Sequence, residues 1–133
     1  MPMIFLNLPV HDLAASRTFY TALGFSINEF SSDEGTLSVV VDDTIVVALH
    51  TRERFADFVD GEVGDPAQAT SVVATLTQDS RAHVDDIADR ALAAGGRPRM
   101  SPQDDDDAYA RGFADPDGNA WLAAFLSPRH VID

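Results

Sequence analysis

The sequence predicts an α+β domain made of two βαβββ modules, with curved mixed sheets around a central cleft and the helices outside. Three observations carry that prediction. An amphipathic segment closed by glycine occurs twice, preceded each time by a short apolar run and followed by three more. The two helix starts, Asp12 and Ser80, are about 68 residues apart. A Gly- and Pro-bearing stretch at 61–69 then separates a first module, 1–60, from a second, 70–133.

In the first module, Met3 to Pro9 is a short apolar run with Asn7 its one polar residue, which suits a buried strand. Pro9 ends it. Asp12 then caps a helix from Leu13 to Leu23, and Gly24 takes the position after its end. Phe25 to Phe30 follows as a strand. Thr36 to Val41 and Thr44 to His50 are β-branched runs around Asp42-Asp43, the pattern of a tight hairpin. Thr51 to Val59 suits a short helix.

The second module repeats the order. Ser71 to Gln78 is a strand. Ser80 caps a helix whose apolar residues Val84, Ile87, Ala88, Ala91 and Leu92 share one face, until Gly95-Gly96 stops it. Arg97 to Met100 is a short strand and Ser101 to Asp107 a polar loop. Ala108 to Ala114 and Asn119 to Leu126 are strands joined by Asp115-Pro116-Asp117-Gly118. That string is a turn and not a calcium loop. With Gly118 as the sixth loop residue, Phe113 and Ala124 fall where carboxylates are needed.

Composition narrows the function. The 133 residues are 45% hydrophobic and 23% charged, which suits one soluble globular domain. Nine arginines, no lysine and 22 acidic residues give a net charge of −13. Such a balance argues against nucleic acid and anionic membrane surfaces, and favours a cationic or aromatic small-molecule guest. Without cysteine there is no thiol nucleophile and no Cys-ligated zinc site, and without lysine no Schiff base. No signal peptide or membrane span is evident, so a cytoplasmic location is expected.

Leu8-Pro9-Val10-His11-Asp12-Leu13, Ser16-Arg17-Thr18-Phe19-Tyr20 and Leu23-Gly24-Phe25, together with Gly112-Phe113-Ala114-Asp115-Pro116-Asp117-Gly118-Asn119-Ala120-Trp121, resemble the vicinal oxygen chelate superfamily. That superfamily includes glyoxalase I, extradiol dioxygenases and bleomycin-resistance proteins. The resemblance covers almost the whole chain and implies the paired βαβββ fold and a homodimer. It also implies one divalent metal, held by His, Gln or Glu from the first and last strands of each module.

Carried over residue by residue, the resemblance puts Phe5, Val73 and Leu122 at three ligand positions, and Leu49 or His50 at the fourth. None of the first three donates a lone pair. A register error of two would offer Asn7, Ser71 or Thr75, and Ala120 or Ala124, a poor set for a transition metal. His11 and His83 at helix starts and His130 in the tail read as surface residues, and Asp104 to Asp107 as a solvated run. The expectation is therefore a cleft with no metal or other cofactor. Its ligand pocket would comprise Phe5, Asn7, His50, Val73, Tyr109, Arg111 and Leu122, with Trp121 in the core. The expected function is small-molecule binding, with no catalytic residue assigned. The alternative is a metal-dependent glyoxalase-like lyase or ring-cleaving dioxygenase.

Overall fold

The computed structural model describes residues 1–130, with the side chain of His130 outside that description. β1 (Ile4–Val10), α1 (Leu13–Ala22), β2 (Ser26–Ile27), β3 (Thr36–Asp42) and β4 (Ile45–Thr51) form the first unit. α2 (Arg52–Phe55) and a 3-10 turn (Ala56–Phe58) lead into the linker. β5 (Val73–Thr77), α3 (Arg81–Ala93), β6 (Arg97–Asp104), β7 (Ala108–Ala114) and β8 (Ala120–Leu126) form the second.

The sheet orders are β1-β4-β3-β2 and β5-β8-β7-β6. In each, the first strand runs parallel to the last and the remaining pairs are antiparallel. The architecture is α+β with two mixed sheets, as expected, and the second sheet repeats the topology of the first.

Local chemistry starts and stops the helices. Asp12 Oδ1 accepts from the Ala14 and Ala15 N–H groups at 2.9 and 3.2 Å. Ser80 Oγ accepts from His83 N–H at 3.1 Å. Both caps satisfy donors that have no partner within the helix. Arg52 fastens the linker: its guanidinium donates to the Val63 and Gly64 carbonyls, both at 2.8 Å.

Each helix covers one face of its own sheet, and the two helices then share a single core. Phe19 and Tyr20 of α1, with Leu23 just after it, pack with Leu37, Val39, Val47 and Leu49 of the first sheet. The same cluster takes in Val84, Ile87 and Ala91 of α3 and Phe113, Trp121 and Ala123 of the second sheet. The Phe19 and Phe113 ring centroids are 6.3 Å apart, and those of Tyr20 and Trp121 6.1 Å. Among the described residues no strand of one sheet pairs with a strand of the other, and the sheets meet through the helices. Both sheets therefore turn one face to the helical core and the opposite face outward.

Among the element boundaries that differ from expectation, which include β1 running through Pro9 to Val10 and β5 shortening to Val73–Thr77, three have a clear local cause. The strand expected over Phe25 to Phe30 shortens to Ser26–Ile27, because Asn28 caps a 3-10 turn over Glu29–Ser31. The hairpin turn is Asp43-Thr44 rather than Asp42-Asp43, and a bulge between Val40 and Asp42 shifts the register. The strand expected to end at Met100 continues to Asp104, through an irregularity between Arg99 and Gln103. Pairing with β7 keeps that polar stretch extended, although no hydrophobic alternation marks it.

Candidate functional site

On the first sheet, Leu8, Val10, Leu37, Val39, Val47 and Leu49 point into the core. Side chains alternate along a strand, so Phe5, Asn7, His50 and Thr36 point outward. This settles the fourth-strand alternative: Leu49 is core and His50 lies on the outward face. The bulge in β3 puts Thr36 directly opposite His50.

His50 is 4% exposed and both ring nitrogens are engaged. Nδ1 is 2.8 Å from Thr36 Oγ1 and Nε2 is 2.8 Å from Asn7 Oδ1. The Phe58 ring lies over the imidazole, 4.8 Å between centroids. Arg54 Nη1 donates to Thr36 Oγ1 at 3.0 Å and pairs with Asp33 at 3.4 Å. A guanidinium only donates, so the hydroxyl accepts from Arg54 and gives its own hydrogen to His50 Nδ1. Nε2–H then donates to Asn7. A chain Arg54→Thr36→His50→Asn7 thus holds one neutral tautomer.

Burial, reinforced by the Arg54 charge, pushes the His50 pKa below the ordinary histidine value of 6.5. The folded state disfavours the imidazolium, while the unfolded chain takes up the proton near the ordinary value. Stability from His50 is therefore complete above that value and falls as pH drops through it toward the folded one. Urea unfolding at pH 7.5 and pH 5.5 should show a larger acid loss for the native chain than for His50→Gln. Equal losses would remove His50 as the source.

On the second sheet, the pairing draws two rows across the outward face. One runs Thr75, Leu122, Gly112, Arg99; the other runs Val73, Ala120, Ala114, Arg97. Leu122 and Val73 thus lie on one face. Gly112 has a steric reason: a Cβ there would meet Arg99 O at 2.6 Å and Met100 Cγ at 2.9 Å.

Tyr109 and Arg111 were expected in the pocket but lie on the opposite face, against α3. Tyr109 O–H donates to Asp85 at 2.6 Å, and Arg111 donates to Asp85 and Asp89 at 3.0 and 2.9 Å. Their strand parity matches Phe113, which is buried under the helix, and that fixes their side. The Tyr109 hydrogen bond, followed by Arg111, holds Asp85 below the usual carboxylate range. Trp121 is core, its indole N–H donating to Tyr20 Oη at 3.1 Å. His11 and His83 are exposed, as expected, and the expectation for His130 concerns a side chain outside the described residues.

A cavity of about 370 Å³ opens where β1, α2, the linker and β5 converge. Leu6, Leu8, Phe55, Pro66 and Val72 give it apolar walls, and Asn7 and Asn119 its polar points. Its size falls within the range of small-molecule sites. Of the anticipated pocket residues, Asn7 borders it; Phe5 and His50 on one sheet, and Val73 and Leu122 on the other, lie beyond it.

Residues 3–42 match the family model described as bleomycin resistance protein-like N-terminal. No curated protein matches the sequence. Hypothetical protein SA1046 from S. aureus superposes with a TM-score of 0.79 at 24% identity, covering 95% of this chain and 94% of that one. A glyoxalase/bleomycin resistance protein/dioxygenase family enzyme from Burkholderia phytofirmans PsJN gives 0.77 at 17% identity, covering 95% and 99%. A bleomycin resistance determinant encoded on transposon Tn5 gives 0.65 at 20% identity, covering 95% and 98%. The fold is that of the vicinal oxygen chelate superfamily.

A vicinal oxygen chelate metal does not fit the residues this chain presents. Phe5, Val73 and Leu122 bring hydrocarbon to the three ligand positions that the resemblance implies. At the fourth, His50 has both nitrogens committed to Thr36 and Asn7. Among the described residues, no three His, Cys, Asp or Glu side chains gather where they could hold an ion. A divalent site needs three or four such donors.

Proposed function

We propose that this chain is a small-molecule binding protein whose cleft recognises its guest through apolar contact and a few polar groups, without the superfamily's metal. The observation that carries this reading is the side-chain chemistry at the former ligand positions: phenyl and aliphatic carbon, with the one imidazole locked by Thr36 and Asn7. Such a surface binds hydrocarbon and has no lone pair to spare for an ion. Thermal-shift and calorimetric titration with flat aromatic guests test it. Stabilisation by guests, and none by nickel, manganese, iron or zinc, is the expected result. A near-stoichiometric metal that raises the melting temperature would overturn it.

We further propose that the cleft is completed by a second copy. The inner faces of both sheets pack on one helical core, and among the described residues no strand of one sheet pairs with a strand of the other, so the outward faces are not joined into one sheet within a chain. The start of each module's first strand also exposes apolar side chains: Ile4 is 65% exposed, Phe5 57% and Val73 51%, with Val72, just before β5, at 55%. Exposed apolar area on this scale is characteristic of an interaction surface. Sedimentation should find a dimer at micromolar concentration, and Phe5→Glu should shift it at least tenfold toward monomer while leaving the circular dichroism unchanged. A native chain that sediments as a monomer at high micromolar concentration would refute the pairing.

A further inference from the structure

The outward face of the second sheet carries a charge pattern opposite to that of the whole molecule. Among the described residues, six arginines meet carboxylates: Arg17–Glu29, Arg54–Asp33, Arg81–Asp104, Arg90–Asp86, Arg129–Asp107, and Arg111 with Asp85 and Asp89. Arg52 is held by backbone carbonyls. The remaining two, Arg97 and Arg99, have no carboxylate partner among the described residues, in a chain with 22 acidic side chains available.

Arg97 and Arg99 are two apart on β6, so they share a face, about 7 Å between their Cα atoms. The pairing puts Arg97 opposite Ala114 and Arg99 opposite Gly112. They therefore end the same two rows that hold Val73 and Leu122. Strands lie about 4.8 Å apart, so Arg99 stands two strands, about 10 Å, from Leu122. Between them lies Gly112, with Ala120 in the neighbouring row. The Met100 side chain lies over Gly112, set there by a backbone at φ 45°. The result is an apolar shelf with two guanidinium groups at one end.

We infer that the guest of this cleft is an acid: a flat apolar body carrying a carboxylate or phosphate, with the body on Leu122 and the anion on Arg97 and Arg99. A guanidinium donates in a planar fork that matches both oxyanions, and two of them converge on one group more readily than on an ammonium or neutral guest. The net charge of −13 favours a cation only at long range; screening limits that field to about 8 Å, and contact chemistry decides the guest. This inference rests on the apolar-cleft reading above and adds the class of ligand.

The test is a matched series measured by calorimetry: 2-naphthoate, 2-naphthyl phosphate, neutral 2-naphthamide and cationic 2-naphthylmethylamine. The acids should bind at least tenfold tighter than the amide, and the amine more weakly still. Arg97→Gln with Arg99→Gln should bring the acids level with the amide while leaving the amide unchanged. Arg97→Lys with Arg99→Lys should restore part of the difference. Naphthoate and naphthyl phosphate together distinguish which oxyanion is preferred. Equal binding of acid and amide, or an acid preference that survives the double glutamine variant, would overturn the inference and leave the apolar cleft standing. A double variant that instead weakens the dimer would also overturn it, by assigning both arginines to carboxylates of a second copy. If no member binds, the cleft reading and the inference fall together.

Discussion

Asp115→Ala should destabilise the chain by about 3–4 kcal/mol, a large part of the stability of a domain this size. Asp115 is 1% exposed and accepts four hydrogen bonds. Oδ1 takes the N–H groups of Asp117 and Asn119, at 3.0 and 2.9 Å, and so holds the Asp-Pro-Asp-Gly turn. Oδ2 takes the Tyr20 hydroxyl at 2.7 Å and the Asn119 amide at 2.9 Å. Tyr20 belongs to the other module and also accepts from Trp121. Asn119 reaches across as well, donating to the Pro9 carbonyl at 3.1 Å. One carboxylate thus organises a turn and ties it to the opposite helix.

Burial first, then Asp115, raises the Tyr20 pKa well above the ordinary 10.0, so the hydroxyl keeps its proton and remains a donor. Tyr20→Phe should cost about 2 kcal/mol by removing that donor while leaving the turn intact. Urea unfolding should show a lower midpoint at unchanged slope for both variants. The double variant should lose less than the sum, because the two residues share one bond. Additive losses would show that the residues do not act together.

Leu122→Glu should weaken guest binding by about thirty- to a hundredfold, on the order of 2–3 kcal/mol. It removes apolar contact from the centre of the shelf and places a carboxylate where the guest would have to desolvate it. The same variant brings a carboxylate to a position where the resemblance implies a metal ligand, yet it should not gain a metal. It adds a single oxygen, Phe5 and Val73 still offer only hydrocarbon, and the His50 nitrogens stay committed. Titration with manganese and zinc checks this directly. Micromolar metal affinity in Leu122→Glu would show that a coordination geometry persists and would favour an enzymatic ancestry close at hand.

Much of the fold was legible because its signals are local. Asp12 and Ser80 cap the helices the sequence places after them, and Val84, Ile87, Ala88 and Ala91 are buried on one face of α3. β6 was read too short because its residues, Arg97 to Asp104, are exposed throughout and carry no hydrophobic alternation. Cross-strand hydrogen bonds make it a strand, and those depend on β7. Less of the site was legible. Leu122 and Trp121 were separated to opposite faces correctly, since period two decides it. For Tyr109 and Arg111 period two gives only a shared face, and which face meets α3 depends on how the sheet is laid on its helix.

The hairpin shows the same limit at the scale of one residue. A turn at Asp43-Thr44 and a bulge at Val40 bring Thr36 opposite His50, and without that shift the imidazole would lack its partner. Thr36, Arg54 and Phe58 carried no motif that pointed to His50. Likewise, nothing in the spacing of Arg97 and Arg99 distinguished them from other surface arginines; the absence of carboxylate partners does, and partnership exists only in three dimensions.

The amino-acid order by itself determined the class of fold, the repeat of its topology and the hydrocarbon side chains of Phe5, Val73 and Leu122. Those follow from side-chain identity and short periodicities, which act within a few residues. Tertiary structure alone decided that the two helices share one core, that the sheets turn their opposite faces outward, and that Asp115 of one module locks onto Tyr20 of the other. Each of these joins residues far apart in the chain, up to 95 positions for that last bond, so its free energy depends on packing and burial that no local pattern encodes.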